Sequence, residues 1–179
     1  MLIFDASTLI LLARGELLDS LLDDYPGTIA VPEAVEHECT IPPLRPDGIL
    51  IRERIRERRI VVNKLQGTAT ANRLIQDFHL GVGEAEALSL AMEKQADIVA
   101  TDDRNAIRAC KLLHLRFTTA IGILIRLRER GRLTADDTRG GLERLAVYGR
   151  YHRTILEDAK RRLEGEEYDQ GAENPEHPC

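Results

Sequence analysis

The sequence contains no tryptophan, and aromatic residues account for only 4% of its 179 positions. An apolar core must therefore come from the aliphatic side chains that supply most of the 43% hydrophobic content, which is enough for a packed α/β interior. No stretch approaches the roughly 20 consecutive apolar residues that a transmembrane helix requires. The first residues have no basic region before their apolar run and are interpreted as a strand, not a signal peptide. We therefore expect a cytoplasmic protein without membrane association.

Cysteine is scarce as well. Cys39, Cys110 and Cys179 are an odd number and show no repeated spacing, so a disulfide framework is not expected. His37 and Cys39 have the spacing of half a zinc site, but no second half follows. A structural zinc site is therefore not predicted.

Lysine and arginine are missing from residues 164–179, which contain six acidic residues, while the net charge of the whole chain is -5. The rest of the chain has 24 acidic and 25 basic side chains and is nearly neutral. The overall acidity therefore does not exclude a nucleic-acid partner. Residues 165–179 also contain glycine and proline, and we interpret them as an acidic, disordered tail.

Short apolar runs alternate with amphipathic segments along most of the chain. Predicted strands cover residues 2–4, 28–31, 60–62, 97–100 and 115–117. Predicted helices cover residues 8–22 in two pieces, 32–39, 51–59 (solvent-exposed), 70–78, 84–94, 103–113 and 120–130, and the proline-rich residues 41–48 are predicted to form a loop. This order predicts an α/β fold, a three-layer α/β/α sandwich with a parallel sheet of four to five strands.

The chain after residue 131 follows a different pattern. Its helical segments, at residues 134–146 and 154–163, are not accompanied by a further strand. We therefore divide the chain into a core domain of residues 1–131, a helical C-terminal appendage of residues 132–164 and the tail of residues 165–179.

Acidic side chains follow two of the predicted strands. Asp5 follows the first strand, and Asp102 and Asp103 follow the fourth. The carboxyl ends of parallel strands meet at one edge of the sheet, where open α/β folds bind their ligands. Asp5 and Asp103 can each be explained as an ordinary helix N-cap, but their shared position favours a functional site.

Two glutamates join this acidic set. Glu84 is predicted to open a helix after Gly83, where the helix dipole favours a negative charge, and Glu38 lies near the end of the helix after the second strand. Each can also be an ordinary charged residue of a helix. Crowded carboxylates repel by about 1 kcal/mol per pair at 4 Å in water and by more in a partly buried cleft. Such a cluster is typical of a cation site, and oxygen ligands favour Mg²⁺ or Mn²⁺.

Four short motifs occur in the order that PIN domains show, over about residues 1–130. They are Phe4–Ile10 (FDASTLI), Val31–Glu38 (VPEAVEHE), Leu80–Leu88 (LGVGEAEAL) and Val99–Arg104 (VATDDR). The sequence therefore resembles the PIN-domain family. This resemblance implies an α/β/α sandwich that cleaves RNA with Mg²⁺ or Mn²⁺.

The resemblance also implies which residues carry the chemistry. The implied catalytic acids are Asp5, Glu38, Glu84, Asp102 and Asp103, of which Asp5, Glu84, Asp102 and Asp103 are the implied metal ligands; either Asp102 or Asp103 faces the metal while the other caps the next helix. The implied supporting residues are Ser7 and Thr101. Glu33 and Glu36 are alternatives to Glu38, and the segment 64–80 is longer than in compact members. Glu86 lies about 200° from Glu84 around a helix and is not expected to bind the same ion.

Several partners are implied in the same way. They are an RNA substrate, a small antitoxin if the chain is the toxin of a toxin–antitoxin pair, and a second copy in a homodimer; a role in RNA processing is the alternative to the toxin. The residues Gly149–Leu156 (GRYHRTIL) resemble the ending of a prokaryotic PIN subgroup with a C-terminal helix. Four arginines of the appendage either contact RNA phosphates or a partner, or lie on helices that pack on the core: Arg139, Arg144, Arg150 and Arg153.

Three other classes of protein share features with this sequence. A phosphatase of the HAD type needs a second aspartate two residues after Asp5, where this chain has Ser7. A dinucleotide-binding motif needs a third glycine after Gly81 and Gly83, and that glycine is missing. A non-catalytic PIN-fold module that binds RNA or a partner protein remains the alternative.

Overall fold

A computed structural model of the protein describes residues 1–41 and 45–164. Five strands form one sheet: β1 (Leu2–Phe4), β2 (Ile29–Pro32), β3 (Val61–Asn63), β4 (Ile98–Ala100) and β5 (Phe117–Thr118). The described residues also form ten helices: α1 (Ala6–Arg14), α2 (Leu18–Asp24), α3 (Glu33–Thr40), α4 (Pro46–Arg56), α5 (Ala69–Phe78), α6 (Val82–Lys94), α7 (Arg104–Leu112), α8 (Ala120–Glu129), α9 (Ala135–Tyr148) and α10 (Arg153–Glu164). Helices separate successive strands, so each connection can bring the chain back to the end of the sheet where the next parallel strand begins.

The sheet has the order β3-β2-β1-β4-β5, and all of its strand pairs are parallel. β1 is central, and Phe4 lies opposite Ala100 of β4. This register places Asp5 beside Thr101, and the Asp5 amide donates to the Ala100 carbonyl at 3.1 Å. The strand ends that carry the acidic residues are therefore neighbours.

The two faces of the sheet carry separate apolar clusters. Leu2 and Phe4 of β1 belong to a cluster with residues of α1, α2 and α8, whereas Ile3 belongs to a cluster with residues of α5, α6 and α7. This alternation is the two-residue period of a strand buried on both sides. The predicted three-layer α/β/α sandwich with a parallel sheet is confirmed.

Helices α9 and α10 add no strand to the sheet. Helix α9 packs against α1 and α8, and α10 packs against α8 and α9. A capping box formed by Thr134 and Asp137 begins α9. A Cβ atom on Gly141 would lie 3.1 Å from a Leu17 methyl group and 3.2 Å from a Leu124 methyl group, so the glycine permits the close approach of α9. The appendage thus lies directly against helices of the core.

The predicted loop of residues 41–48 is wrong at its C-terminal end. Pro46 begins α4, because its fixed φ suits the first helical position. The helix that was predicted for residues 51–59 therefore starts earlier, and it is not simply exposed, since Ile51 is fully buried. It ends at Arg56 because Arg58 adopts a left-handed conformation with φ 58°.

Other boundaries shift by one or two residues. Helix α6 begins at Val82 after the N-cap Gly81, so Glu84 is its third residue and does not open it. Strand β3 begins one residue later than predicted, and β5 two residues later. The proposed tail lies outside the described residues. Within the described residues, no helix combines the length and apolar character needed to cross a bilayer.

Candidate functional site

Asp5 lies at the junction of β1 and α1 and is fully buried. Its Oδ1 accepts hydrogen bonds from the Thr8 amide at 2.8 Å and from Ser7 Oγ at 3.1 Å, so Asp5 is the N-cap of α1. Its Oδ2 is buried and has no hydrogen-bond partner among the described residues. Burial raises the pKa of Asp5 to about 6, against the opposing effect of the nearby polar groups of Thr101, Thr8 and Ser7. A buried carboxylate oxygen without a partner is costly unless a cation or another donor satisfies it.

Asp102 and Asp103 have different partners. Asp103 caps α7, because its Oδ1 accepts from the Ala106 amide at 2.8 Å. The Asp103 amide donates to Thr101 Oγ1 at 3.3 Å. The structure thus gives Asp103 the capping role, which leaves Asp102 as the candidate metal ligand of the pair.

Both oxygens of Asp102 accept hydrogen bonds from other elements. Oδ2 accepts from Thr8 Oγ1 at 3.0 Å and from the Ala120 amide at 2.9 Å. Oδ1 accepts from the Tyr151 hydroxyl at 2.6 Å. Because the Thr8 amide donates to Asp5 and the Thr8 hydroxyl donates to Asp102, this threonine connects the two aspartates.

Tyr151 is a residue of the site that sequence reasoning missed. It lies between α9 and α10, 49 residues after Asp102. Burial and the negative charges of Asp102 and Asp5 raise the pKa of Tyr151, so its hydroxyl stays protonated and donates. The GRYHRTIL motif contains this tyrosine, but no local pattern indicates its partner.

Glu38 and Glu84 approach each other across α3 and α6. A Cβ atom on Gly81 would overlap the Glu84 carboxylate, which folds back over the N-cap of α6. Glu38 Oε2 lies 3.1 Å from the position of a Cβ atom on Gly83. Partial burial and the negative charge of Glu84 raise the pKa of Glu38. The positive end of the α6 dipole partly offsets this crowding of negative charge.

The other glutamates of these helices have different positions. Glu86 Oε2 accepts from the Ala34 amide at 3.2 Å and therefore satisfies a free N–H group of the first turn of α3. Glu33 is exposed in the first turn of α3. Glu38 is the acid of α3 that lies against the first turn of α6.

Two adjoining clefts divide the acidic residues. Ser7, Glu84, Asp102 and Asp103 line the larger cleft, which has a volume of about 740 Å³. Glu38 lines the smaller cleft, of about 270 Å³, and Arg14 lines both. The Arg14 guanidinium lies 3.4 Å from the Asp47 carboxylate and 5.5 Å from the centre of the Tyr148 ring. Arg14 therefore belongs to the wall that the two clefts share.

The wall of the larger cleft also carries basic side chains that the predicted set did not include. Arg104 and Arg150 line it together with Asn105 and Tyr148. Both arginines are exposed, and neither forms an ion pair with another residue of the described ranges. Arg139, Arg144 and Arg153 instead pair with Asp136, Glu16 and Glu157.

The donor set fits a hard divalent cation in its chemistry, because it consists of carboxylates and includes the unpartnered Asp5 Oδ2. It is not drawn together into a compact ligand group. Within residues 1–41 and 45–164, no three His, Cys, Asp or Glu side chains lie close enough to hold a metal ion. Burial is the main reason that the pKa of Cys39 is raised to about 12, so its thiol is neutral at physiological pH. A cysteine that binds zinc is ionised, and Cys39 therefore does not suit a zinc site.

The chain is thus a parallel α/β/α sandwich with acidic residues at the carboxyl ends of its central strands. A protein-family model, DUF3368, described as a PIN domain, matches residues 1–164. The chain therefore belongs to the PIN-domain family, and the match extends through α9 and α10. No curated protein and no solved structure matches the chain significantly.

Proposed function

We propose that this PIN domain is a ribonuclease that hydrolyses RNA phosphodiester bonds with Mg²⁺ or Mn²⁺. The observation that carries the proposal is the buried Asp5 Oδ2, which has no hydrogen-bond partner in the described residues. It lies at the end of the central strand, and Thr8 connects its carboxyl group to that of Asp102. A carboxylate in this position, within a family of nucleases, is best explained by a cation that completes its coordination.

Asp5, Glu84 and Asp102 are the residues that we assign to the cation, with Glu38 as a further acid beside Glu84. Asp103 holds the first turn of α7. A bound Mg²⁺ or Mn²⁺ lowers the pKa of a water molecule and neutralises charge on the phosphate. Ser7 and Thr8 hold the Asp5 carboxyl group by hydrogen bonds to Oδ1, and Thr101 favours its ionised form.

The basic wall of the larger cleft supports RNA as the substrate. Arg104 lies next to Asp103 at the start of α7, and Arg150, which follows α9, lines the same cleft. Arginine side chains bind phosphates in a bidentate manner and retain their charge at any physiological pH. Tyr148 adds an aromatic surface, 49% exposed, on which an unpaired base can stack.

The test is a cleavage assay on single-stranded and structured RNA with Mg²⁺, with Mn²⁺ and with chelator. Wild type is compared with Asp5→Asn, which keeps an N-cap for α1 but removes the ionisable oxygen. Asp77→Asn, on the exposed surface of α5, is the matched control. We expect cleavage by wild type and the control in the presence of metal, and none by Asp5→Asn. Equal activity of wild type and Asp5→Asn would contradict the proposed mechanism.

A non-catalytic RNA-binding or partner-binding module is the competing function. Both Asp102 oxygens already accept hydrogen bonds, and these donors use lone pairs that a cation would otherwise take. This arrangement favours the non-catalytic module. Metal binding does not separate the two functions, because either can retain the acids. RNA bound without hydrolysis, at all three metal conditions, would favour the module.

A ribonuclease of this kind has two alternative biological roles, as the toxin of a toxin–antitoxin pair or as an RNA-processing nuclease. If the chain is the toxin of a toxin–antitoxin pair, induced expression of wild type arrests growth, while Asp5→Asn does not, and co-expression of a small antitoxin restores growth. Harmless expression of an RNA-cleaving wild type would favour RNA processing. Light scattering tests the proposed homodimer, and a single species of monomer mass would exclude it.

A further inference from the structure

The turn between α9 and α10 reaches the acidic site through one hydroxyl group. Tyr151 donates to Asp102 Oδ1 at 2.6 Å. Thr8 and Ala120 donate to the other oxygen. Donors from three separate parts of the chain therefore hold this carboxylate, and Tyr151 is the one that the appendage supplies.

Gly149 is needed for this arrangement because of close packing. A Cβ atom on Gly149 would overlap the Tyr151 ring and would lie 2.8 Å from the Leu145 carbonyl oxygen. The backbone of Gly149 is extended, with φ -91° and ψ 156°, so the conformation itself does not require glycine. The missing side chain is what lets the ring lie against the end of α9 and point its hydroxyl at Asp102.

We propose that Tyr151 is a positioning residue, which orients the Asp102 carboxylate for the divalent cation and so makes the C-terminal appendage part of the acidic site. This inference rests on the proposed function. The hydroxyl occupies one lone pair of Oδ1, and the carboxylate retains further lone pairs for a cation. Hydrogen-bond partners that orient metal ligands typically change metal affinity or activity by about 10–100-fold when they are removed.

Tyr151→Phe is the appropriate variant, because it removes the hydroxyl and keeps the ring that packs on the core. Mn²⁺ affinity is measured by titration calorimetry and by the paramagnetic resonance of free Mn²⁺. We expect the dissociation constant to rise about tenfold, with an unchanged melting temperature in chelator. Tyr25→Phe is the control, since Tyr25 follows α2 and lies beside Leu2 and Ile98, at the opposite ends of the strands.

A second pair of variants keeps the proposal testable if the loss of one hydroxyl is compensated. Gly149→Ala should displace the ring and weaken Mn²⁺ binding, whereas Gly140→Ala, which faces only the tip of Arg144 in the same helix, should not. Both changes act through one hydrogen bond, so their effects should not add. The double variant Gly149→Ala/Tyr151→Phe should have a dissociation constant for Mn²⁺ no higher than that of the single variant that binds Mn²⁺ less tightly.

The outcomes distinguish this inference from the proposed function. Mn²⁺ binding by Tyr151→Phe equal to that of wild type would overturn the positioning role, and tighter binding would also overturn it, because the hydroxyl would then compete with the cation. If wild type binds Mn²⁺ and needs Tyr151 to do so but does not cleave RNA, the nuclease proposal fails and the positioning role stands. No binding of Mn²⁺ by wild type would overturn both.

Discussion

A Cβ atom on Gly83 would lie 3.1 Å from Glu38 Oε2, so the first turn of α6 leaves room for this carboxylate because residue 83 has no side chain. Helices α3 and α6 thereby bring Glu38 close enough to Glu84 for the charge of one to raise the pKa of the other. The pair is a product of helix packing, since 46 positions separate the two residues in the chain.

Gly83→Ala should lower cleavage without unfolding the protein. The added methyl group displaces the Glu38 carboxylate, and a shift of about 1 Å in a reacting or ligating group can cost up to about 100-fold in rate. The helix propensity of alanine, better than that of glycine by about 1 kcal/mol, offsets the tighter contact. RNA cleavage rates and thermal melting measure the two effects. A wild-type rate for Gly83→Ala would show that the position of Glu38 is not critical.

Glu38→Gln should abolish or strongly reduce cleavage, whereas Glu33→Gln and Glu36→Gln on the same helix should not. The reason is that Glu38 alone of these three is placed against Gly83 by the packing of α3 on α6. The three variants change the same functional group on one helix and so control for each other. Loss of cleavage in Glu36→Gln or Glu33→Gln instead would reassign the second acid.

Asp5→Asn should stabilise the metal-free protein at neutral pH. The folded-state pKa of Asp5, about 6, lies above its usual value of 3.8, so the folded state binds the proton more tightly than the unfolded state does. Stability from this group is fully present below pH 3.8 and is lost as pH rises through about 6. At pH 7.5 the ionised, buried carboxylate therefore costs on the order of 1–3 kcal/mol.

Thermal melting in chelator, from pH 4.5 to pH 8, measures this difference between wild type and Asp5→Asn. The advantage of the variant should be largest at the alkaline end and should shrink towards pH 4.5. An advantage that is independent of pH would show that ionisation of Asp5 is not its cause. Asp77→Asn serves as the control for the change from acid to amide.

Mn²⁺ should raise the melting temperature of wild type at pH 7.5 and leave that of Asp5→Asn unchanged. A ligand that binds the folded state stabilises it in proportion to the logarithm of its concentration over its dissociation constant. At 100 times the dissociation constant the gain is about 2.7 kcal/mol. The same shift in both proteins would place the cation away from Asp5.

Arg150→Gln should weaken RNA binding and reduce its salt dependence. In the Asp5→Asn background, which prevents turnover, fluorescence anisotropy across a range of salt concentrations should give a slope smaller by about 1 for each phosphate contact removed. Arg153→Gln is the control, because Arg153 pairs with Glu157 at 2.7 Å on α10. Equal affinities and slopes for both variants would exclude Arg150 from the RNA-binding surface.

Local features of the site were predictable from the sequence. The sequence indicates Asp5 and Asp103 as possible N-caps, and both are N-caps, because a cap depends on amides within three positions of the same segment. The alternation of strands and helices also predicted the parallel sheet, in which Asp5 and Thr101 become neighbours. The division of the predicted helix of residues 8–22 into two pieces was also correct, since α1 ends at Arg14 and α2 begins at Leu18.

Predicted helix boundaries were wrong where one residue type is compatible with two kinds of local structure. The prolines of residues 41–48 predict a break in regular structure, but Pro46 begins α4. Proline disrupts a helix interior and favours its first turn, so composition alone does not distinguish the two. Burial of Ile51 against the core then extends the helix from that start.

The sequence by itself determined the layers of the fold, the strand ends that carry Asp5 and Asp102, and the caps, because each depends on residues within a few positions. Only the tertiary structure decided which acids meet across elements. The packing of α3 on α6 places Glu38 beside Gly83. The return of the chain after α9 brings Tyr151 to Asp102, although 49 positions separate them. Such contacts depend on how helices pack over the sheet, and no local pattern specifies that packing.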